Sequence, residues 1–341
     1  MRILVTATHV PFINGGAEAH MRGLVQALRA LGHQVELLRV PFSFWPEGQV
    51  LKAMQFCAGF DLMRLSVVPE RVISLQFPTY GMSHPQQVVW LMHQHRAVYE
   101  LYGKVVPATP ALAELKEKIL AFDRENLARA EKLFANSHRV AERLQQSLGI
   151  KAQPLYHPPP DAERFYAGEM WDYVLLPSRL ERLKRQELLI EAARLVKSPV
   201  RFVLLGEGGQ RPELTAKIAR YGLEDRVWLA GFRPRAEQIA WYAHALAVFF
   251  GPHDEDYGYV TLEAMLAARP VITCSDSGGP LEFVRHGLTG LVVDPHPEAV
   301  AEAIDSLWED RRRARAMGQA GREAILALNL SWERVVEALL K

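Results

Sequence analysis

The sequence predicts an α/β protein of two doubly wound, Rossmann-like domains that face each other across a cleft. Short apolar runs alternate with helical patterns along most of the chain, which is typical of parallel sheets with crossover helices. The proline-rich segment 156–170, YHPPPDAERFYAGEM, interrupts this alternation and indicates a stiff linker. A chain of 341 residues is too long for one ordinary domain and suits two. The first domain is placed at residues 1–160 and the second at 161–325, followed by a terminal helix over 326–341.

The first domain begins with a β-α-β unit. The run Ile3-Leu4-Val5 predicts a buried strand, and residues 17–31 have apolar side chains at helical spacing before Gly32. The loop Asn14-Gly15-Gly16 connects the two. The other predicted elements are strands at 35–38, 71–74, 87–91 and 132–135 and an amphipathic helix over 111–130.

The second domain repeats the alternation after the linker. Ligands of such sheets bind beyond the carboxyl ends of the strands, so the loops that follow the strands are the expected site. The predicted strands lie at 171–176, 200–205, 226–229, 247–250, 271–273 and 291–293, and the predicted helices at 184–197, 211–221, 235–244 and 258–268.

Composition and charge exclude several classes of protein. A net charge of +1 gives no general argument for a nucleic-acid partner, and two distant cysteines suggest neither a disulfide framework nor a metal centre. The sequence has no run of 18 apolar residues and no signal-peptide pattern, which predicts a cytoplasmic protein. Residues 1–160 carry 17 Lys and Arg against 12 Asp and Glu. This excess favours weak peripheral contact with the inner membrane face, although ordinary surface variation explains it as well.

Three loops have residue types that bind phosphate. Gly15-Gly16 lets the backbone approach a phosphate at the start of a helix, although a tight turn needs glycines too. Arg179 and Lys184 follow a strand and could reach one site, where Arg forks onto phosphate oxygens and Lys supplies a compact charge. The alternative is two solvated cations on a loop. Gly206-Glu207 resembles a phosphate or ribose turn.

Acidic residues crowd the stretch HDEDYGYVTLEAM at 253–265. Glu255 lies in a loop and Glu263 lies inside the following helix, eight residues later. Between them, the amides of Gly258, Tyr259 and Val260 are predicted to point outward as donors for an anion. Carboxylates that flank an anion site suit a nucleotide sugar, with phosphate on the amides and hydroxyls on the carboxylates. Asp254 and Asp256 are expected to form a solvated rim.

The combination of these loops resembles one family. The chain looks like a retaining glycosyltransferase of family 4, with the GT-B fold, a group that includes bacterial mannosyl- and glucosyltransferases. The most specific match is E-x7-E, from Glu255 to Glu263. The following stretch RPVITCSDSGGPLEFVRHGLTGLVV, at 269–293, resembles the family's run of proline, paired glycines, glutamate and two further glycines. The resemblance implies an acceptor-side first domain, a donor-binding second domain and a terminal helix that returns to the first.

The resemblance also implies roles for individual residues. Glu255 would contact the hydroxyls of the transferred sugar and Glu263 the ribose of the nucleotide. Lys184 would hold the diphosphate together with Arg179, while Gly16 would approach it from the first domain. His93 stands where the family commonly keeps a histidine near the reaction centre; a satisfied loop histidine is the alternative. The chain departs from the family at Arg185, where glycine often follows the lysine.

The expected activity is transfer of a hexose from a UDP- or GDP-linked sugar to a glycan, lipid-linked or small-molecule acceptor, with retention of configuration. No cofactor and no metal are expected. An alternative interpretation of Asp254-Glu255-Asp256 is the D-x-D motif that binds a metal ion in another glycosyltransferase fold. The pair His93-x-His95 is not expected to bind a metal ion, because the sequence has no third ligand nearby. The alternatives are a non-catalytic nucleotide-sugar-binding protein and a nucleotide-sugar epimerase. A nicotinamide oxidoreductase is disfavoured because Gly15-Gly16 does not form G-x-G-x-x-G.

Overall fold

The apolar runs form two separate parallel sheets, one in each of two compact units. The structure is a computed structural model that describes residues 1–13 and 15–341; Asn14, from the first glycine loop, lies outside the described residues. Unit 1 comprises Met1–Pro158 and Ser331–Lys341, and unit 2 comprises Pro159–Leu330.

The described residues of unit 1 form six strands and five α-helices. The strands are β1 (Arg2–His9), β2 (Gln34–Pro41), β3 (Arg71–Ser74), β4 (Gln87–Leu91), β5 (Lys132–Ala135) and β6 (Gln153–Pro154); the helices are α1 (Gly16–Ala30), α2 (Glu47–Ala58), α3 (Pro110–Arg129), α4 (His138–Leu148) and α11 (Trp332–Leu340). The sheet is parallel, in the order β2-β1-β3-β4-β5-β6. Every residue of β3 and β4 is buried, which explains why both strands appear in the sequence as short continuous runs.

The terminal helix α11 packs on the first helix of unit 1. A Cβ atom placed on Gly23 of α1 would lie 2.2 Å from the Trp332 ring, so glycine lets the two helices approach closely. Val335, Val336 and Leu339 of α11 are buried in the same core cluster as β1 and α1. The terminal segment therefore belongs to the core of unit 1.

Unit 2 contains six strands and six helices. The strands are β7 (Tyr173–Pro177), β8 (Arg201–Leu205), β9 (Val227–Gly231), β10 (Ala247–Phe249), β11 (Val271–Cys274) and β12 (Gly290–Val293); the helices are α5 (Gln186–Ala193), α6 (Arg211–Arg220), α7 (Arg235–His244), α8 (Tyr259–Leu266), α9 (Pro297–Glu309) and α10 (Arg311–Ala327). The order of this parallel sheet is β12-β11-β10-β7-β8-β9.

The strand order of unit 2 fixes where a ligand can bind. The chain moves from β7 outward through β8 to β9, then returns to the other side of β7 to form β10, β11 and β12. The direction of winding thus reverses between β7 and β10, and at such a switch point the loops beyond the carboxyl ends separate and leave a crevice. The loop after β7 carries Lys184 and the loop after β10 carries Glu255.

Most predicted elements lie where the sequence placed them, and the differences have local causes. Helix 184–197 is shorter than expected: Arg182–Lys184 form a 3-10 turn, and α5 begins after Arg185. The sequence interpretation did not include α2, although Val50, Met54 and Cys57 are buried at helical spacing. In the part of the chain that the structure describes, no helix is both long and apolar enough to cross a bilayer.

Candidate functional site

The site in unit 2 centres on an ion pair between the two switch-point loops. Lys184 Nζ lies 2.6 Å from Glu255 Oε2, and both side chains are largely buried, with 17% and 16% exposed. Lys184 follows β7 and Glu255 follows β10, so the parallel pairing of these strands brings the two loops together. The sequence assigned these residues to neighbouring parts of one ligand, and the structure does place them side by side.

Arg185 links the loop after β7 to Asp276, in the loop after β11, and lies close to His253, in the loop after β10. Its guanidinium donates two hydrogen bonds to the Asp276 carboxylate, at 2.7 and 2.6 Å, and its Nη2 lies 3.0 Å from His253 Nδ1. The hydrogen bonds that Arg185 donates to Asp276 raise the pKa of Arg185 further, so the guanidinium stays charged. Burial would raise the pKa of Asp276, but the Arg185 contacts outweigh it and lower that pKa.

The backbone of Arg185 explains the departure from the family pattern. Its φ is +53°, in the left-handed region that glycine adopts without strain. A non-glycine residue there has a conformational cost, and the bidentate contact with Asp276 offsets it. The turn is thus retained, and Lys184 is presented to Glu255.

The paired glycines at 278 and 279 position the Glu255 loop. Glu255 N donates to Ser277 O at 2.8 Å, and Gly279 N donates to Glu255 O at 2.8 Å. A Cβ atom on Gly278 would lie 2.6 Å from Glu255 O, and its φ of +72° also favours glycine. The glycine pair therefore allows one loop to lie directly against the other.

The structure corrects the interpretation of Asp254 as part of a solvated rim. Asp254 is only 9% exposed, has φ +47° and donates its backbone N–H to Asp276 O at 3.0 Å. Its carboxylate lies against Gly278, where Oδ1 would be 2.9 Å from an added Cβ. Asp254 is thus part of the packed loop. Asp256 is partly exposed.

The second carboxylate of the E-x7-E pattern is buried between two partners. Glu263, on α8, is 6% exposed. Its Oε1 accepts from Arg235 Nη2 at 2.7 Å, and its Oε2 accepts from the Tyr242 hydroxyl at 2.5 Å. Arg235 also donates to Pro160 O at 2.7 Å and to Asp161 Oδ2 at 3.1 Å. The carboxylate is therefore fixed in place by two residues of α7.

Helix α8 begins between the two glutamates. Gly258 precedes it with φ +85°, and no side chain among residues 1–13 and 15–341 caps this end. The first turn closes with Thr261 N donating to Gly258 O at 3.0 Å. The helix start therefore presents Tyr259 and Val260 at its positive end, between Glu255 and Glu263.

The remaining predicted donor residues of unit 2 lie on two loops that pack together. The Arg179 guanidinium contacts Glu181 at 2.8 Å and is 43% exposed. Gly206 has φ +119°, and a Cβ atom there would lie 2.2 Å from Ser178 O. The backbone of the Gly206 loop therefore packs directly against the backbone of the loop that carries Arg179. Glu207 contacts Arg211 at 3.3 Å at the start of α6.

The residues predicted for the acceptor side belong to unit 1. His93 is half-buried after β4, and its Nδ1 lies 2.7 Å from Gln94 O. His95 is 3% exposed, and burial lowers its pKa to about 4, so it is neutral near pH 7. Gly15 adopts an extended backbone conformation before α1, which begins at Gly16. The contributions of His93, Gly15 and Gly16 to a site remain predictions.

Sequence reasoning did not identify Arg235, Tyr242 or Asp276 as site residues. Arg235 and Tyr242 are seven residues apart and thus lie on one face of α7, which is a detectable pattern. Glu263, which contacts both, is on a different helix, and the neighbouring sequence does not indicate this contact. Among the described residues, no group of three or more His, Cys, Asp or Glu side chains could hold a metal ion.

The second unit is similar to a known family of proteins. Residues 166–324 match the family model described as "Glycosyl transferases group 1". A D-inositol 3-phosphate glycosyltransferase of Nocardia farcinica is 29% identical over 244 residues, which are 64% of this chain and 53% of that protein. The chain thus spans about half the length of that relative. A GDP-mannose-dependent alpha-(1-6)-phosphatidylinositol monomannoside mannosyltransferase of Mycobacterium tuberculosis is 29% identical over 369 residues, covering 96% of this chain and 94% of the relative.

The fold comparison extends over both units. The crystal structure of Anabaena HepE in complex with UDP and glucose matches with a TM-score of 0.72 and 20% identity, covering 99% of each chain. At this identity the likeness shows the fold alone. Two parallel six-stranded sheets with flanking helices confirm the prediction of two doubly wound, Rossmann-like domains of the GT-B class.

Proposed function

We propose that this chain, which carries a glycosyl transferases group 1 domain over residues 166–324, transfers a hexose from a UDP- or GDP-linked sugar to an acceptor hydroxyl, with retention of anomeric configuration. The observation that carries the proposal is the contact of 2.6 Å between Lys184 Nζ and Glu255 Oε2 at the switch point of unit 2. A cation for phosphate and an acceptor for sugar hydroxyls are adjacent there, where a doubly wound sheet binds its ligand.

The donor diphosphate is assigned to the positive groups around this pair. Lys184 provides a compact charge, and the start of α8 at Tyr259 and Val260 provides backbone donors. Arg179 lies on the loop before Lys184 and is exposed enough to turn from Glu181 to a phosphate. These groups can balance the charge of a diphosphate, so we propose that turnover needs no divalent metal.

The two glutamates are assigned to opposite ends of the donor. Glu255 would accept hydrogen bonds from hydroxyls of the transferred sugar, and it can do so while Lys184 stays close. Glu263 would accept from the ribose hydroxyls, held at its position by Arg235 and Tyr242. Gly206 and Glu207 lie on the adjoining loop and are assigned to the nucleoside.

The chemistry proposed is displacement on one face of the sugar. The bond between the anomeric carbon and the phosphate oxygen breaks, and the bond to the acceptor oxygen forms on the same face. The proton of the acceptor hydroxyl passes to the departing diphosphate. The protein stabilises the charge that develops on that phosphate and orients both reactants, which are the largest contributions that residues of this type can make.

The printed names of similar proteins support the substrate classes. HepE was crystallised with UDP and glucose, and the mycobacterial relative is named for a GDP-mannose donor and a phosphatidylinositol mannoside acceptor. These names favour a nucleotide-linked hexose as donor and a glycan or lipid-linked acceptor. They do not choose between UDP and GDP.

Nucleotide release from a donor panel tests the proposal. The full chain is incubated with UDP-glucose, UDP-N-acetylglucosamine and GDP-mannose, each with and without a mixture of glycan and inositol-containing acceptors. We expect release of one nucleotide that depends on an acceptor and is lost in Glu255→Gln. Tight binding of UDP or GDP by calorimetry without any release would instead identify a non-catalytic nucleotide-sugar-binding protein. An α-linked product from an α-linked donor, read by NMR of the anomeric proton, checks retention.

A further inference from the structure

Unit 2 has a cavity at the edge of its sheet opposite to the candidate donor site. It has a volume of about 670 Å³ and is lined by Tyr173, Arg201 and Val227, the first residues of β7, β8 and β9. Lys184 and Glu255, by contrast, follow the carboxyl ends of β7 and β10. The cavity is therefore separate from the proposed donor site, and its volume lies within the range of about 300–1,000 Å³ that is usual for ligand pockets.

Aromatic rings form one wall of this cavity. Trp241 on α7 makes edge contacts with Tyr173, at 5.2 Å between centroids, and with Trp228, at 5.7 Å. Trp171 stacks on His244 at 4.3 Å and lines the cavity with its remaining surface. Trp171 and Trp228 are 50% and 47% exposed. Large exposed tryptophans that are already braced by neighbouring rings offer rigid apolar surface at little cost in side-chain entropy.

Charged side chains also line the cavity. Arg201, Glu224 and Asp225 line the cavity and are exposed. Arg226 differs, because its guanidinium donates to four backbone carbonyls, including Ser198 O at 2.9 Å and Val200 O at 3.2 Å. Arg226 is thus structural, whereas the other three can turn toward a ligand.

We propose that this cavity is an accessory carbohydrate-binding site, which holds an oligosaccharide at a distance from the donor. A pyranose ring has an apolar face of C–H groups that packs on an aromatic ring, and hydroxyls at its rim that hydrogen-bond to carboxylates and guanidinium groups. Tryptophans in one lining with Glu224, Asp225 and Arg201 supply both kinds of contact.

Charges of both signs line the cavity, with three carboxylates (Asp172, Glu224 and Asp225) and two guanidinium groups (Arg201 and Arg226). The Arg233 guanidinium lies 5.2 Å from the Trp228 ring centroid, in a cation–π contact. A neutral ligand with many hydroxyls can donate hydrogen bonds to the carboxylates and accept them from Arg201, because a hydroxyl is both donor and acceptor.

The proposal rests on the proposed function only for the choice of sugars to test, since binding here needs no transfer. The full chain has seven tryptophans, so 5-fluorotryptophan labelling gives seven 19F NMR signals. Mannohexaose and maltohexaose are titrated to 10 mM, once without nucleotide and once with saturating UDP or GDP. We expect the signals of Trp171, Trp228 and Trp241, assigned by single Phe variants, to shift.

Matched variants separate binding from folding and from catalysis. Glu224→Gln and Arg201→Ala change exposed side chains, and each should weaken oligosaccharide affinity at least threefold while the melting temperature is kept. Trp228→Ala should weaken it at least tenfold. Trp45→Ala removes a tryptophan that is 74% exposed in unit 1 and should leave the affinity unchanged. Glu255→Gln should lower the rate of transfer and keep this binding, so failure of one proposal is distinguishable from failure of the other.

Three results would overturn the accessory site. The first is the absence of any shift at 10 mM of either sugar. The second is competition, in which saturating nucleotide abolishes the shifts, because the sugar would then occupy the donor site. The third is a response of the same three signals to phospholipid vesicles or to protein concentration in place of sugar, which would identify a membrane-contacting or self-association surface.

Discussion

Lys184 Nζ and Glu255 Oε2 are 2.6 Å apart in unit 2, although the two residues are 71 positions apart in the chain. A lysine that is mostly withdrawn from water is accompanied here by a carboxylate, which lowers the cost of burying its charge. The same pairing prepares both side chains for a ligand that has phosphate next to a sugar. Binding of a diphosphate would then place Lys184 between two anions.

Replacing Lys184 with Ala should weaken UDP or GDP binding by about 1.5–3 kcal/mol, the scale of a hydrogen bond to a charged group. The loss includes the effect of leaving Glu255 without its partner, and this carboxylate would repel the diphosphate. Calorimetry on the wild type, Lys184→Ala and Lys184→Ala/Glu255→Gln measures it. We expect the double variant to recover part of the affinity. An unchanged affinity in Lys184→Ala would remove this residue from the site.

Glu255→Gln should lower kcat more than it raises KM. The amide keeps the shape of the side chain but is a weaker hydrogen-bond acceptor. Hydrogen bonds that strengthen as the glycosidic bond breaks stabilise the transition state more than the bound substrate, so their loss lowers kcat more than it weakens binding. Asp256→Asn is the matched control, because it removes one neighbouring charge from a partly exposed position. Steady-state kinetics decide the matter. Should Asp256→Asn lose as much turnover as Glu255→Gln, the assignment of the sugar contact to Glu255 is wrong.

Glu263→Gln should mainly weaken nucleotide binding, by about tenfold, which corresponds to about 1.4 kcal/mol. We expect the ribose to make the same hydrogen bonds in the ground state and the transition state, so kcat should change little. Tyr242→Phe removes one hydrogen bond to the same carboxylate and leaves its charge. It should weaken nucleotide binding less than Glu263→Gln does. If folded Glu263→Gln binds the nucleotide as tightly as the wild type does, the Glu263 carboxylate only stabilises the packing of α7 on α8.

Turnover should persist in excess EDTA. Lys184, Arg179 and the start of α8 supply the positive charge that a divalent ion would otherwise provide. Activity with 5 mM EDTA is compared with activity in 5 mM magnesium or manganese, after the protein has been passed over a chelating resin. Complete loss of activity that either metal restores would make Asp256 and its neighbours candidate ligands and refute the metal-free proposal.

The stability of unit 1 should depend on the ionisation of Asp123. This carboxyl is fully buried and accepts hydrogen bonds from the Tyr80 and Tyr99 hydroxyls, both at 2.6 Å. Burial raises its pKa to about 7, although both tyrosine contacts act to lower it. In the unfolded chain an aspartate ionises near pH 4. The folded state therefore holds a proton that the unfolded state has lost, and this contribution to stability is full below about pH 4 and lost as the pH rises through about 7.

Chemical denaturation at pH 5 and pH 8 checks this expectation. The free energy of unfolding of the wild type should fall more between the two pH values than that of Asp123→Asn, which cannot ionise. Asn still accepts one of the two tyrosine hydrogen bonds, so the variant should fold. Parallel pH dependence in the two proteins would contradict the raised pKa.

The sequence predicted the sheets well because buried parallel strands appear as continuous apolar runs. Arg71–Ser74, Gln87–Leu91 and Lys132–Ala135 have the bounds that were predicted. Lys184 and Glu255 were predicted to lie near each other because both follow strands, and the fold does bring the ends of these neighbouring strands together. The burial of Asp254 could not be read from its acidic neighbours, because it depends on the approach of Gly278, 24 residues later.

The sequence around Arg235 likewise does not indicate its tertiary contacts. A surface helix often begins with a charged residue, and nothing nearby in the sequence indicates that its guanidinium would reach Glu263, 28 residues later, and Asp161, 74 residues earlier. Such contacts depend on how the helices pack on the sheet, and the spacing of apolar residues in the sequence does not determine that packing. The carboxylate could be predicted, but the groups that orient it could not.

Arg235 shares one guanidinium between the segment that enters unit 2 and the carboxylate assigned to ribose. Nη2 has two N–H groups and donates one to Pro160 O and the other to Glu263 Oε1, so both acceptors are bound at once. If the ribose of a nucleotide hydrogen-bonds to Glu263 as proposed, the nucleotide and the segment at Pro160 share Arg235 as a common neighbour. Nucleotide binding and the ordering of that segment would then be coupled, and such coupling is reciprocal: whatever fixes the segment changes the affinity for nucleotide by the same factor.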